Sequence, residues 1–154
     1  MLTLKKKILL IVAVAVLLAF GFSWFLLYGV VREGLVRQTE QDLSRQTAFF
    51  ASTLERGGIQ SFEQELERWK GLLRGRVTLV GSDGRVLSDT ESDPARMENH
   101  LSRPEVLSAL RDGEGSMLRY SGTTKVHYLY FARRATANGE RVVIRSAYPL
   151  ESLT

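Results

Sequence analysis

Residues 8–31, "ILLIVAVAVLLAFGFSWFLLYGVV", form an apolar run in which Ser23 is the one clearly polar side chain. As an α-helix the run would be about 36 Å long, and the hydrocarbon core of a bilayer is about 30 Å thick. Trp24 and Tyr28 lie near its far end, where amphipathic rings favour the membrane interface. The run is apolar on every side, unlike the one-sided stripe of a helix in a soluble protein. The sequence therefore predicts a transmembrane helix that contacts lipid through residues 8–31.

The charges before the run predict its orientation. Lys5, Lys6 and Lys7 precede it, and positively charged flanks stay in the cytoplasm. We therefore expect a plasma-membrane protein with a cytoplasmic amino terminus and an extracytoplasmic remainder. The alternative is a cleaved signal peptide, but the apolar region of such a peptide is usually about 7–15 residues long. The Ala-x-Ala pattern at residues 13–15 lies inside the apolar core, so no cleavage site follows the run.

The composition excludes two classes of function. The chain has 21 basic and 17 acidic residues and a formal net charge of +4. Without the three lysines that precede the apolar run the remainder is nearly neutral, so no electrostatic basis for nucleic-acid binding is left. The chain has no cysteine, which excludes a disulfide framework and a thiolate metal site.

Two helical segments are predicted after the apolar run. Residues 32–56 carry a thin apolar stripe at helical spacing, and Gly57 and Gly58 end it. Its apolar residues are Leu35, Leu43, Phe49, Phe50 and Leu54. Two interpretations stay open: a seam covered by the same helix of a partner in a homodimer, or a helix packed on its own domain.

The second segment, residues 61–73, has a clearer pattern. Ser61 and Gln64 have the spacing of a capping box, which predicts Ser61 as the helix start. One face carries apolar residues at helical spacing, which we expect in the core. These residues are Phe62, Leu66, Trp69 and Leu73.

From residue 76 the periodicity changes to that of strands. Residues 77–80 and 86–87 flank the turn Ser82-Asp83-Gly84 and predict a hairpin. Residues 116–121, 125–134 and 141–148 predict a three-stranded meander, with a turn at Asn138-Gly139. Pro149 should end the last strand because it cannot donate to a ladder. Along residues 125–134 the alternation places Tyr128 and Tyr130 on one face.

A short helix is predicted between the hairpin and the meander. Ser102 and Glu105 have capping-box spacing, and Gly113 ends the segment. The predicted fold class is α+β: a transmembrane helix that continues into a long helix, then a domain of about five antiparallel strands flanked by helices.

Enzyme motifs are missing from the sequence: it has no G-x-S-x-G, no P-loop and no H-E-x-x-H. The acidic segment 88–98 lacks the regular spacing of a calcium loop, so we expect it to be solvated. The alternation around His127 predicts a packed or edge position rather than a ligand. Five arginines suit carboxylate or phosphate recognition, although we expect most of them to pair with acids. They are Arg103, Arg119, Arg133, Arg141 and Arg145.

Residues 76–121 resemble the extracytoplasmic sensor domain of membrane histidine kinases of the phosphate-regulon (PhoR-like) type and of related cell-wall sensor kinases. The shared pattern is a strand, an Asp-Gly turn, "VLSDTESDP", "MENHLSRPEV", then "AL" and a glycine pair before "RYS". In that family a first membrane helix is followed by a PAS-like or Cache-like domain, a second membrane helix, a HAMP linker and the kinase core. The resemblance extends from the lysines to "AYPLESL", which is similar to the approach to the second membrane helix.

The resemblance implies four parts of the chain: a cytoplasmic stub and transmembrane helix (1–31), extracytoplasmic helices (32–75), a PAS/Cache-like sensor domain (76–149) and the approach to a second membrane helix (150–154). It implies the input region of a two-component kinase, dimeric, whose full-length parent is an ATP-dependent protein histidine kinase. This chain carries no kinase core, so we expect no enzyme activity from it. Other outputs, a chemoreceptor or a nucleotide cyclase, stay open, as does an anchored binding module without output.

The same resemblance suggests a binding site without a cofactor, a metal or a catalytic residue. His100 and Arg103 fall in the family's "MENH..RPE" pattern, where they contact a ligand or fix the loop to the helix start. With Arg119 and Tyr128 they are our candidate ligand-binding residues. The partner stays open between a small anionic ligand and an envelope protein.

Overall fold

The computed structural model describes residues 3–73, 75–122 and 124–150, and the chain divides into two compact units, Met1–Arg37 and Gln38–Thr154. The predicted segment 150–154 lies outside the described residues except for Leu150. Helix α1 spans Leu4–Trp69 and includes the apolar run, whose side chains are all exposed in the first unit. By length and composition this helix can cross a membrane.

A break in α1 lies where the two glycines predict it. Gly58 has non-helical φ and ψ angles of 69° and −170°, and a positive φ is accessible to glycine at little steric cost. Helical backbone resumes directly after Gly58, so Ser61 lies inside the helix. The prediction of Ser61 as the helix start is therefore wrong, because the backbone freedom of Gly58 rather than a hydroxyl cap sets the boundary.

The second unit is built on one antiparallel sheet of five strands, as predicted. The strands are β1 (Arg76–Gly81), β2 (Val86–Asp89), β3 (Glu114–Tyr120), β4 (His127–Ala137) and β5 (Glu140–Leu150). Their order across the sheet is β2-β1-β5-β4-β3, and all neighbours are antiparallel. A 3-10 turn (Pro94–Arg96) and helix α2 (Pro104–Asp112) lie in sequence between β2 and β3.

Each face of the sheet has its own core. On one face, α1 buries Phe50, Leu54 and Phe62 against Leu79 and Ile144. On the other face, α2 buries residues against alternate positions of the same strands; this cluster is Val80, Val106, Ala109, Ala132 and Val143. Strands β1, β4 and β5 therefore bury apolar residues on both sides, with period-2 alternation deciding which helix each side chain contacts.

The structure decides between the two interpretations of residues 32–56. Leu43, Phe50 and Leu54 are at most 1% exposed within a single chain. These three residues are therefore packed on their own domain rather than in a partner-covered seam, whereas Leu35 and Phe49 are 39% and 44% exposed and for them a partner stays a prediction.

Three further expectations need correction. Trp69 is 40% exposed rather than part of the core, and its indole Nε1 donates to Glu65 Oε2 over 2.7 Å. Ser102 does not cap α2, since Arg103 occupies the N-cap position with no side-chain cap hydrogen bond. Pro149 does not end β5: it lies within the strand opposite Tyr128, and pairing continues to Leu150.

Candidate ligand-binding site

A cavity of about 360 Å³ opens on the α2 face of the sheet. Its floor is formed by β1, β4 and β5, and its walls come from the segment between β2 and α2 and from the β3–β4 connection. The side chains with charge or hydrogen-bonding capacity that line it are Arg76, Glu91, His100, Arg103, Ser121, Thr124, Tyr128, Tyr130 and Arg145. Among the described lining residues three are arginines and one, Glu91, is an acid.

Arg145 is the most deeply held charge at this cavity. Its side chain is 6% exposed, and its Nε donates to Glu105 Oε1 over 2.7 Å. The guanidinium lies 4.3 Å from the centroid of the Tyr130 ring, which favours a cation through its π face. The two terminal nitrogens donate to no other described residue, and neither is sealed from solvent. The Glu105 carboxylate therefore holds one edge of the Arg145 guanidinium and the Tyr130 ring contacts one of its faces. Its two terminal nitrogens remain available as donors to a ligand.

Glu105 is the fully buried partner of Arg145. It lies in the first turn of α2, where its capping-box spacing was expected to serve the helix end, but its carboxylate instead joins α2 to β5. Its Oε2 has no hydrogen-bond partner among the described residues. A buried charge without its partner costs several kcal/mol, so Arg145 and Glu105 depend on each other.

Arg76 is held by Asp89, whose side chain is completely buried. Asp89 accepts from Arg76 Nε at 2.9 Å and from Thr78 Oγ1 at 2.7 Å, and its other oxygen accepts the backbone N–H groups of Glu91 and Ser92. Burial raises the pKa of the Asp89 carboxyl, but the hydrogen bonds outweigh burial and leave the pKa below its usual 3.8. These contacts fix Asp89, and no acidic or histidine cluster suited to a metal ion occurs among the described residues.

His100 is 7% exposed and lies against the cavity. Its Nδ1 is 2.8 Å from the carbonyl oxygen of Glu98, to which it donates. Its backbone N–H donates to the Gly84 carbonyl and its own carbonyl accepts from the Arg103 N–H, so it also joins the loop to the start of α2. Burial lowers the pKa of the imidazole, and nearby arginines lower it further.

Arg103 extends over the rim of the cavity. Its Nη2 is 3.7 Å from Glu98, which is largely exposed, and its Nε is buried without a partner among the described residues. An ion pair of this length to an exposed carboxylate contributes little, so Arg103 keeps donors available to a ligand.

The structure brings together three of the four predicted site residues. His100, Arg103 and Tyr128 line the cavity. Arg119 does not; it lies on the edge strand β3 with its guanidinium 4.7 Å from the Tyr130 ring centroid, on the same aromatic ring as Arg145. Whether these residues bind a ligand stays a prediction.

Sequence reasoning missed Arg76 and Tyr130 as cavity residues, whereas its expectation of an acidic partner for Arg145 is confirmed by Glu105. The alternation of β4 already places Tyr130 beside Tyr128, and their rings stack at 6.0 Å. The partners of Arg76 and Arg145 lie 13 and 40 residues away in sequence, so no local pattern could identify them.

No protein-family model and no curated protein sequence matches this chain. Among solved structures, it is similar to the ligand-binding domain of the amino acid chemoreceptor PctC of Pseudomonas aeruginosa PAO1, solved with GABA. That match has 15% identity and a TM-score of 0.57, and covers 77% of this chain and 58% of the other. This chain thus spans less than two thirds of the PctC domain.

Two further solved structures are less similar, with TM-scores below 0.5. One is the extracellular domain of rpHK1S-Z16, provisionally assigned as a histidine kinase, with 21% identity over 59% of this chain and 38% of the other, and a TM-score of 0.42. The other is the sensory domain of the Campylobacter jejuni chemoreceptor Tlp3, with 16% identity over 78% of this chain and 60% of the other, and a TM-score of 0.46.

The likeness to PctC and the strand order agree on the fold. At 15% identity the likeness speaks for architecture alone. The chain has the α+β, PAS/Cache-like fold of extracytoplasmic sensor domains.

Proposed function

We propose that this protein is the membrane-anchored input region of a signalling receptor and that its cavity binds a small anion. The observation that carries the proposal is Arg145: its side chain is 6% exposed, lines the cavity, and has two terminal nitrogens that donate to no described residue. A planar fork of N–H donors suits a carboxylate or a phosphate, which it can bind through two parallel hydrogen bonds.

The hydrogen-bonding groups on the cavity wall support an anion over an amino acid. An amino acid brings an ammonium group that needs acceptors, and Glu91 is the one acidic side chain among the described lining residues. Arg76, Arg103 and Arg145 each have a carboxylate partner, so the preference rests on their remaining N–H donors, which suit the oxygens of an anion. Hydroxyl donors from Ser121, Thr124 and the tyrosines can complete their hydrogen bonds.

We further propose a histidine kinase of a two-component system, with phosphorelay in the full-length protein, as the output. The resemblance of residues 76–121 to phosphate-regulon sensor kinases supports this assignment. A chemoreceptor is the second candidate, favoured by the fold shared with the PctC domain. The codons that follow Thr154 in the gene distinguish them: a histidine-containing dimerisation segment and ATP lid indicate a kinase, and a long methyl-accepting coiled coil a chemoreceptor.

Thermal unfolding of the full chain in detergent tests the anion site. Fumarate, inorganic phosphate and GABA are added separately. We expect at least one of the two anions to raise the melting temperature by several degrees, since a ligand at 100 times its Kd adds about 2.7 kcal/mol. GABA should leave it unchanged.

The double variant E105Q/R145Q removes the guanidinium without leaving Glu105 as an unpaired buried charge. It should keep the fold and lose the anion response. The matched control is R141Q, which removes an exposed arginine of the same strand that does not line the cavity. Failure of both anions to stabilise the wild type, or an undiminished response in E105Q/R145Q, would overturn the proposal.

A further inference from the structure

His100 is a titratable side chain whose one unengaged nitrogen lies at the cavity. Its Nδ1 donates to the Glu98 carbonyl, which fixes the tautomer of the neutral ring. Its Nε2 makes no hydrogen bond with any described residue and keeps contact with solvent. In the neutral ring, Nε2 presents a lone pair to the cavity.

That lone pair opposes the ligand charge. An anion offers acceptors only, so it gains no hydrogen bond from an unprotonated Nε2. Protonation of Nε2 turns the acceptor into a charged donor on a side chain that lines the same cavity as Arg145.

We propose that Nε2 of His100 is a ligand contact that takes up one proton when an anion enters the cavity. This inference rests on the function proposed above. The proton comes from solvent or buffer and adds to the Nε2 lone pair, giving an imidazolium, while the anion keeps its charge and no other bond is made or broken. Binding of the anion should therefore strengthen as the pH falls.

The groups around His100 favour this linkage. Burial lowers the imidazole pKa, and the charges of Arg145, Arg103 and Arg76 lower it further. The bound anion adds the opposite charge within a few ångströms, which raises the pKa again. The charged and titratable groups on the surrounding elements are Arg76 (β1), Asp89 behind it (β2), Glu91 and Glu98 (the β2–α2 segment), Arg103, Glu105 (α2), Tyr128 and Tyr130 (β4) and Arg145 (β5).

Calorimetry of the full chain in detergent measures the proton directly. The probes are fumarate and sulfate, which stay fully ionised above about pH 6 because their acid groups have much lower pKa values. Titrations in Tris and in imidazole, two cationic buffers of different ionisation enthalpy, give the protons taken up per ligand. We expect uptake approaching one, and a Kd that rises by up to tenfold per pH unit between the pKa values of the empty and bound states.

Variants identify the group. H100Q should bind with no proton uptake and a flat pH profile. H127Q removes the only other histidine, which packs against Tyr120 and does not line the cavity. This variant should keep both the proton uptake and the pH dependence of binding. In H127Q the single remaining imidazole can also be followed by NMR, where the probe should raise its titration midpoint.

The outcomes separate the two proposals. Binding without proton uptake, or with uptake that persists in H100Q, overturns the inference on His100 and leaves the anion site intact. If neither fumarate nor sulfate binds between about pH 6 and 8, this inference is overturned. If phosphate also leaves the melting temperature unchanged, the proposed function is overturned as well.

Discussion

Asp89 shows at the scale of one residue how this domain uses its acids. The acidic segment around it was expected to be solvated, yet its side chain is sealed and joins β2 to Arg76 and Thr78 of β1. Because its folded pKa lies below 3.8, Asp89 contributes stability that is fully present above that value and lost as the pH falls through the folded pKa.

D89N should therefore destabilise the protein at neutral pH by about 2 kcal/mol, since a charge-assisted hydrogen-bond network is removed and Arg76 loses its partner. The difference from wild type should shrink as the pH falls below 3.8 towards the folded pKa, where the native carboxyl takes up its proton. Thermal unfolding followed by circular dichroism between about pH 7 and 3 measures both.

D112N is the control for this experiment. Asp112 pairs with Arg111 on the surface, and its exposed ion pair should contribute little. A loss of stability in D89N that does not change with pH would contradict the role assigned to Asp89.

The same scale shows the limit of local patterns. Glu105 and Ser102 match a capping box letter by letter, and Gly113 ends α2 as predicted with a φ of 100°. Yet Glu105 pairs with Arg145, because a buried carboxylate forms a stronger hydrogen bond with a guanidinium than with a backbone N–H at the helix end. Sequence spacing cannot show which of these partners the fold brings close.

At the scale of elements, α1 is both a long helix and one layer of the domain. Leu43, Phe50 and Leu54 on it are sealed within a single chain, so a homodimer interface does not lie on them. The homodimer itself stays a prediction.

L43A should cost about 2–5 kcal/mol of unfolding free energy, because it leaves a cavity under a fully buried leucine. L107A is the matched control, since Leu107 lies on α2 and is 50% exposed; its change should stay within about 0.5 kcal/mol. Chemical denaturation in detergent compares them. A small effect of L43A would mean that this part of α1 does not pack on its own domain.

Elements were more predictable than their contacts. The five strands and the turns at Asp83-Gly84 and Asn138-Gly139 follow from alternation and turn chemistry over a few residues. Arg119 was a reasonable site residue because it is opposite Tyr128 in the sheet and shares its face. The edge position of β3 and the Tyr130 ring between Arg119 and Arg145 depend on strand order, which local patterns do not specify.

At the scale of the whole molecule, the proposal requires the domain to lie outside the membrane and the amino terminus inside. The chain has no cysteine, so single cysteines report topology without background. S82C, in the exposed β1–β2 turn, should react with a membrane-impermeant maleimide on intact cells, and T3C only after permeabilisation. The reverse pattern would place the domain in the cytoplasm.

The central claim, an anion held by Arg145, is tested most directly by a structure of the chain determined with the anion that binds best. The account predicts that anion in the cavity, with two of its oxygens about 3 Å from the terminal nitrogens of Arg145 and one near Nε2 of His100. An anion bound elsewhere, with the Arg145 terminal nitrogens still unengaged, would contradict it.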